Sequence, residues 1–451
     1  MRLMFKLVVV FVLSLMLLIP LAMVRGTISE RQAYRKEAVE SVERSYAGAQ
    51  SFVGPVLVVP YTEFVETEKT TAEGETRKVL VERKGTWTFF PETLAVDAKV
   101  KPDTRKRGLH EVRVYELSTH AVAQLRAGIP ADADPTRPRR IGQPTLGLVV
   151  SDVRGLIGTP SLRIDGRDMP LFAGSGARDL GGVHVRLPIP RAGETLTLPV
   201  TADFVLAGTE SLAIVPIAKD NRIALSSPWP HPRFGGSFLP RTRSVDDKGF
   251  EATWEISSLA TNAQAQFLGN TALPKVDADA KTEGLDALAL SLVDPVNIYV
   301  QADRATKYGF LFVLLTFVGF FMFELIKALP IHPIQYVLVG LALAIFFLLL
   351  VSLSEHIAFG KAYLVSAIAC IGLLGVYLAA VLRSTMRALG FSAMLGLLYA
   401  ALYGLLVSED NALVLGAGLL FAILATIMMA TRKVDWYALQ GGSLASSFRT
   451  A

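Results

Sequence analysis

The stretch IQYVLVGLALAIFFLLLVSL, residues 334–353, decides the fold of the C-terminal third of this chain. It carries no charged side chain, and its length is about the 20 residues that a helix rising ~1.5 Å per residue needs to cross the hydrocarbon layer of a bilayer. Backbone polar groups inside lipid must be satisfied within the element, so a run of this length has to be an α-helix. Buried helices of soluble proteins are usually shorter and keep a polar stripe. We therefore predict a transmembrane helix.

Four more apolar runs flank that stretch, and together they predict a bundle of five transmembrane helices over residues 308–431. The charged residues of this region lie at or near the ends of the runs. Small residues recur at four-residue spacing at Gly396, Ala400 and Gly404, and again at Ala412 and Gly416. They predict close helix packing within the bundle, with dimerisation as the alternative. The predicted spans are Tyr308–Leu325, Ile334–Leu353, Ala362–Leu382, Leu389–Val407 and Asn411–Ala430.

The N-terminus carries one more apolar run, Leu7–Val24, preceded by Arg2 and Lys6. A cleaved signal sequence is the alternative, but its apolar core is usually only about 7 to 15 residues long. No small-x-small cleavage site precedes Arg25. We therefore predict that residues 1–25 form an uncleaved transmembrane anchor.

Positive charge predicts the orientation of the resulting six helices. With the N-terminus in the cytoplasm, most of the flanking Lys and Arg residues, including Arg383 and Arg387, lie inside, whereas Glu355 lies outside. The long segment 26–307 is then external, and the tail 432–451 is cytoplasmic.

The external segment predicts a helical stalk followed by a β-rich domain. Charged residues alternate through about Ser29–Tyr46, which favours an exposed helix. Residues 118–126 are interpreted as a short helix, 174–182 as a hairpin connection and 271–286 as an exposed loop. Short β-branched and aromatic runs broken by Pro and Gly predict a mainly antiparallel domain such as a sandwich. These runs are Pro55–Pro60, Val79–Glu82, Thr86–Phe90, Leu94–Val100, Val112–Tyr115, Thr145–Val150, Val183–Leu187, Leu196–Phe204, Leu212–Val215 and Phe250–Ile256.

Composition limits the chemistry that the chain can perform. The formal net charge of +5 comes from Lys and Arg interspersed with Asp and Glu, which argues against a nucleic-acid partner. Cys370 is the only cysteine, so the chain forms no intrachain disulfide and no cysteine metal cluster. Motifs of zinc proteases, phosphate-binding loops and hydrolase nucleophiles do not occur. We predict no catalytic, cofactor-binding or metal-binding residue.

A Pro-rich aromatic segment is the first candidate interaction site. Trp229, His231 and Phe234 alternate with prolines whose dihedral angles are fixed. One interpretation is a rigid turn that packs its aromatic rings onto the sheet, and the other is a surface that docks a partner protein.

The second candidate site lies at the outer ends of the helices. Arg304 and Lys307 lie where the external domain returns to the bundle, and Glu355 and His356 follow the span at 334–353. We expect Glu355 and His356 to form a contact point between bundle and external domain. The alternative is that these groups only anchor the helix ends at the interface.

Several segments resemble the CreD family of bacterial inner-membrane proteins, and the resemblance covers almost the whole chain. It is closest over residues 303–356 and looser over 66–140. The matching segments are Gly54-Pro55-Val56-Leu57, Ser227-Pro228-Trp229-Pro230-His231-Pro232, Phe238-Leu239-Pro240, Asp303-Arg304-Ala305-Thr306-Lys307-Tyr308, His332-Pro333-Ile334-Gln335-Tyr336, Leu353-Ser354-Glu355-His356 and Asp435-Trp436-Tyr437.

This resemblance implies an inner-membrane protein of cell envelope integrity in Gram-negative bacteria, associated with a two-component envelope-stress response. It implies no reaction, cofactor or catalytic residue. The expected protein is thus non-enzymatic, lies in the lipid bilayer and acts through a periplasmic domain, residues 26–307, on a periplasmic or inner-membrane protein partner. A membrane-embedded transporter or envelope-modifying enzyme is the alternative. The oligomeric state is left open.

Overall fold

The computed structural model of the chain describes residues 2–70, 76–132, 138–277, 279–292, 298–327, 331–407 and 412–432. The chain divides into two compact units. The membrane unit comprises Met1–Tyr34 with Val296–Ala451, and the β domain comprises Arg35–Pro295. The α-helices of the chain are α1 (Arg2–Met16), α2 (Leu18–Ser45), α3 (Ala263–Leu268), α4 (Ile298–Lys327), α5 (Pro333–Ser354), α6 (Phe359–Val381), α7 (Thr385–Val407) and α8 (Ala412–Thr431).

Two boundaries that were predicted from the sequence lie inside helices. The predicted end of the anchor, Arg25, falls within α2, which continues without interruption to Ser45. Anchor and stalk are therefore one helix. The predicted start of the bundle, Tyr308, falls within α4, which begins already at Ile298.

Five helices in the described residues are long and apolar enough to cross a membrane. One is the N-terminal helix Val8–Ser45, and the others are α4, α5, α6 and α7. This arrangement confirms a polytopic helical membrane protein. The sixth predicted span is helical as α8, but its described apolar stretch, Val414–Thr426, is shorter than the others.

The start of α5 explains the segment around His332 and Pro333. Pro333 occupies the first helical turn, where its missing N–H has no intrahelical partner to lose. The His332 ring nitrogen accepts from the Ile334 N–H at 3.3 Å, and the Gln335 side chain accepts from the His332 N–H at 3.1 Å. This capping box fixes where the helix begins.

Aromatic side chains fill the interior of the bundle. The Tyr399 ring lies 4.6 Å from the rings of both Phe312 and Phe346. Its hydroxyl donates to the Cys370 sulfur at 3.2 Å, and its carbonyl accepts from the Tyr363 hydroxyl at 2.8 Å. These contacts satisfy polar groups that lipid cannot.

Two glycines of α7 have no close neighbour on another helix among the described residues. A Cβ atom placed on Gly396 or Gly404 would meet nothing within 4 Å there. The predicted close packing through these glycines stays a prediction. The buried face of α7 carries large side chains instead, such as Phe391 and Leu395.

The β domain consists of two large sheets and a small one. The strands are β1 (Gln50–Thr70), β2 (Thr76–Phe89), β3 (Pro91–Arg107), β4 (His110–Gly128), β5 (Arg140–Ile141), β6 (Thr145–Val150), β7 (Leu156–Ile164), β8 (Arg167–Asp168), β9 (Phe172–Ala173), β10 (Gly182–Arg186), β11 (Thr195–Thr209), β12 (Ser211–Ile214), β13 (Asp220–Ser227), β14 (Arg233–Gly236), β15 (Thr242–Asp246), β16 (Gly249–Ser257), β17 (Lys275–Val276), β18 (Thr282–Glu283) and β19 (Leu288–Ser291).

Strand order defines a sandwich. The first sheet runs β14-β19-β12-β1-β6-β10-β9, with β2 and β5 also paired to β1, and the second runs β15-β16-β13-β3-β4-β11-β7-β8. Pairing is antiparallel except between β1 and β12 and between β13 and β3. The inner faces of both sheets share one hydrophobic core, in which Phe52 of β1 lies 5.2 Å from Phe204 of β11, ring to ring. The predicted β-rich domain is confirmed.

One local prediction in this domain is wrong and another is incomplete. Residues 118–126, predicted as a short helix, belong to β4, where buried and exposed side chains alternate strictly. Pairing with β3 on one side and β11 on the other overrides the helix propensity of the Ala, Leu, Gln and Arg residues. Residues 271–286, predicted as an exposed loop, contain the hairpin β17–β18 and bury Ala280 and Leu285 completely.

Candidate functional site

A continuous stripe along α1 and α2 positions the candidate site. Buried residues recur every third or fourth position, the spacing that keeps one face of a helix against its neighbours. The stripe begins with a serine, is otherwise apolar at both ends, and contains two partly exposed arginines in its middle. Its residues are Ser14, Leu17, Leu21, Val24, Ile28, Arg31, Arg35, Ala38 and Val42.

Arg31 interacts with a nearly buried carboxylate at the outer end of the bundle. Its Nε lies 3.4 Å from Oε1 of Glu355, whose side chain is only 9% exposed. The hydroxyl of Tyr299, in the first turn of α4, donates to the same oxygen at 3.3 Å. Glu355 follows the last turn of α5, so one carboxylate joins three helices of the membrane unit.

Arg35 makes the corresponding contact in the β domain. Its guanidinium donates to Oε1 of Glu210 at 2.7 Å. Glu210 lies between β11 and β12 with a positive φ of 58°, and its N–H donates to the carbonyl of Arg113. The next turns of α2 bury Ala38, Val39 and Val42 against Val112 and Val114 of β4.

The C-terminus of α2 is held by Arg154 of the β domain. Arg154 donates from its two terminal nitrogens to the carbonyls of Arg44 and Glu43, at 2.8 and 3.2 Å. It also donates to both oxygens of Asp152, which fixes the guanidinium in place. A cation at the last carbonyls of a helix offsets the negative end of its dipole.

Two carboxyl groups at this helix end differ in pKa. Hydrogen bonds from Arg154 lower the pKa of Asp152, against the opposing effect of partial burial. Partial burial raises the pKa of Glu43, and the neighbouring charges of Glu210, Glu40 and Asp152 raise it further. The end of α2 therefore contains one carboxyl group that ionises readily and one that resists ionisation.

The Pro-rich aromatic segment is mostly packed onto the sandwich. Trp229 is 8% exposed, and the Arg113 guanidinium lies 4.2 Å from the centre of the indole ring. The Trp229 Nε1 donates to the His231 carbonyl at 2.9 Å. Phe234 of β14 contacts the rings of Phe250 and Trp254 edge to face. His231 is exposed. This geometry matches the interpretation of a rigid turn.

The other candidate residues lie on or beside α4 and α5. Lys307 forms an ion pair with Asp303 one turn earlier on α4, with the nitrogen and oxygen 2.7 Å apart. Arg304 is on the same helix. His356 is exposed directly after Glu355, and its N–H donates to the Leu353 carbonyl. The structure thus places Glu355 beside Arg31 and Tyr299, two residues that were not predicted as part of the site.

Arg31 could have been found from its spacing. It follows Ile28 by three residues and precedes Arg35 by four, so it continues the apolar stripe of the anchor. A charged residue on the buried face of a helix requires an opposite charge nearby. Its partner could not have been identified from the sequence, because Glu355 is more than three hundred residues away along the chain.

A third group of titratable side chains lies on the outer face of the second sheet. His120 of β4 and Arg163 of β7 approach the two oxygens of Asp203 on β11, at 2.6 and 2.5 Å. The hydrogen bond from His120, assisted by Arg163, lowers the pKa of Asp203. Within the described ranges, no three His, Cys, Asp or Glu side chains are arranged to hold a metal ion.

Fold and contacts define a polytopic membrane protein with a large two-sheet domain inserted between its first and second spans. A family model described as "Inner membrane protein CreD" matches residues 2–437. The inner membrane protein CreD of Escherichia coli (strain K12) is 35% identical over 439 residues, which cover 96% of this chain and 93% of that protein. The chain belongs to the CreD family of inner membrane proteins.

The solved structure of yeast LTA4 hydrolase in complex with bestatin also shows some similarity. It covers 47% of this chain and 30% of that chain, with 7% sequence identity and a TM-score of 0.18. At this score, the comparison says nothing about the fold or the activity of this chain.

Proposed function

We propose that this protein supports cell envelope integrity without catalysing a reaction, through a periplasmic domain formed by residues 26–307. The proposal includes an association with a two-component envelope-stress response and a protein partner in the periplasm or inner membrane. Family membership and the predicted orientation of the helices support it.

The observation that carries the proposal is the way α2 is held. Arg31 and Arg35, one turn apart, each interact with a carboxylate, Glu355 in the membrane unit and Glu210 in the β domain. Residues 17–28 belong to the core of the bundle, and residues 38–42 pack on β4. A chain that joins a membrane unit to a large folded domain through one helix suits a protein that acts through that domain.

The competing proposal, a transporter or an envelope-modifying enzyme, receives less support. Transporters usually bind their substrate near the midplane, between broken helices or ionisable groups. Here α5, α6 and α7 are each continuous, and Phe312, Phe346 and Tyr399 pack against one another in the interior.

The experiment is complementation in a Gram-negative host that lacks its own CreD protein. We expect the full-length chain to restore growth on bile salts and detergents. The double variant Glu355→Gln with His356→Ala should reach the membrane at normal abundance yet restore less tolerance, whereas Lys361→Gln, a control in the next helix, should behave as wild type. If the wild-type chain does not improve growth of the host on bile salts and detergents, the proposal is contradicted.

A further inference from the structure

A groove on the outer face of the second sheet is not explained by the proposed function. It has a volume of about 730 Å³, within the range of small-molecule sites. One wall is the hairpin β15–β16, which closes directly onto the end of β13. Gly249 makes this approach possible, because its φ is +137° and a Cβ there would lie 2.0 Å from the Ser227 carbonyl oxygen. No other residue type fits that position.

Three exposed lysines line the groove: Lys99 and Lys101 of β3, and Lys248 beside the β15–β16 turn. In the part of the chain that the structure describes, none of them forms an ion pair. Lysines elsewhere in the domain do, since Lys219 lies 2.7 Å from Glu92 and Lys106 lies 3.2 Å from Glu111.

Two acidic residues also line the groove, so its charged side chains, three lysines and two carboxylates, sum to a net charge of +1. The Asp246 carboxylate accepts the backbone N–H of Lys248 at 2.8 Å and so stabilises the turn. Glu251 lies on β16. Several ammonium groups on a concave surface attract anions more strongly than the same groups on a flat one.

Strand register aligns hydroxyl groups with one of the lysines. Ser118, Lys99, Ser226, Glu251 and Ser244 are successive cross-strand partners on β4, β3, β13, β16 and β15. Neighbouring strands are about 4.8 Å apart, so the row extends about 19 Å across the sheet. It places hydroxyl groups on both sides of one carboxylate acceptor, and one ammonium group two strands away from that carboxylate.

We propose that this groove binds a phosphate ester that also carries hydroxyl groups. Lys99, Lys101 and Lys248 contact the phosphate oxygens, with Ser118 and Ser226 donating further hydrogen bonds. Glu251 accepts a hydrogen bond from a ligand hydroxyl, which explains why a carboxylate lies beside the lysines. The ligand is either a free sugar phosphate or the headgroup of a phosphorylated glycolipid, which present the same chemistry.

Isothermal titration of the full-length protein in detergent tests this proposal with two probes. Fructose 1,6-bisphosphate represents the free ligand, and short-chain phosphatidylinositol 4-phosphate represents the lipid headgroup. We expect saturable binding of at least one probe that weakens as salt increases. Whichever probe binds identifies the source of the phosphate.

Three triple variants make the test specific. Replacing Lys99, Lys101 and Lys248 by Gln should weaken binding at least about tenfold, because each loses a charge-assisted contact. The same three positions as Arg should retain binding. The control variant, Lys84, Lys106 and Lys219 to Gln, removes the same charge elsewhere and should stay within about twofold of wild type. Failure of both probes to bind, or equal weakening in the two Gln variants, overturns the proposal.

Discussion

At the scale of single residues, Arg31 and Arg35 differ from the rest of the stripe on α2. Each occupies a position where an apolar side chain would be expected, and each has a carboxylate partner. Arg31 is 39% exposed and Arg35 25%, so solvent screens both pairs partly. The Glu355 carboxylate is nearly buried, and without a charged partner it would be unfavourable. The main effect of the Arg31 contact is therefore to hold α2 where Arg31 can reach this carboxylate.

The first prediction concerns the Arg31–Glu355 pair. In a double-mutant cycle with Arg31→Met and Glu355→Gln, we expect a coupling energy of about 0.5–1 kcal/mol, as is typical of partly exposed pairs. Unfolding of the full chain in mixed detergent measures it. Arg25→Met, a control two turns earlier on the exposed face of α2, should show no coupling to Glu355→Gln. Additive effects of Arg31→Met and Glu355→Gln would contradict the contact.

The second prediction concerns Asp152 and pH. Its pKa in the folded protein lies below the unfolded value of about 3.9, so ionised Asp152 stabilises the fold above that pH and the contribution is lost as pH falls through the folded pKa. Asp152→Asn should therefore lower the free energy of unfolding by about 1 kcal/mol at pH 7 and by less at pH 3.

Urea unfolding of the β domain, followed by tryptophan fluorescence of the full chain, checks this pH dependence. Asp247→Asn, which changes an exposed carboxylate of the same domain, is the control. A loss in Asp152→Asn that is equal at both pH values would show that the carboxylate charge is not what matters.

At the scale of elements, the sequence predicted the helices and strands that have a clear apolar pattern. It missed a strand segment whose structure depends on pairing with other strands. Apolar runs of membrane length predicted α4 to α7, and β-branched runs predicted strands such as β6 and β11. The end of β4 was missed because Ala121, Ala123 and Ala127 bury little surface and favour helices. Only pairing with the preceding strand β3 on one side and with β11, which is distant in the chain, on the other makes this segment a strand.

The third prediction separates the two interpretations of residues 118–126. Ala123 is buried in the strand and Gln124 is exposed. Ala123→Asp should destabilise the β domain by about 3 kcal/mol or more, because it buries an unpaired charge. Gln124→Asp should change stability by less than about 0.5 kcal/mol. Urea unfolding of the two variants measures the difference, and equal effects would refute the strand alternation.

At the scale of the whole molecule, composition and positive charge predicted a membrane protein with one large inserted domain, and the structure has both parts. The interaction sites were less accessible to prediction. Trp229 and Phe234 are conspicuous in the sequence yet mostly packed. Glu355 contacts Arg31 and Tyr299, which only the folded chain brings to it.

The fourth prediction concerns topology. Single cysteines at Lys248 and Arg432, in a Cys370→Ala background, should react differently with an impermeant thiol reagent added to sealed cells. Lys248→Cys should be labelled, because we expect the β domain to be periplasmic, and Arg432→Cys should be labelled only after lysis. Labelling of both in intact cells would mean that α8, the helix with the shorter described apolar stretch, does not cross the membrane.

The continuity of α2 has a consequence for insertions. A helix turns by about 100° per residue, so one alanine added after Glu37 should rotate Ala38 and Val42 a quarter turn or more away from the line set by Arg35. The Arg35–Glu210 contact and the packing of Ala38 and Val42 on β4 could then not form together. We therefore expect this insertion to lower the protease resistance of the β domain more than Glu37→Ala, which changes an exposed residue at the same place and leaves the rotation of the helix unchanged. Angular phase in its last turns is what this helix has to preserve.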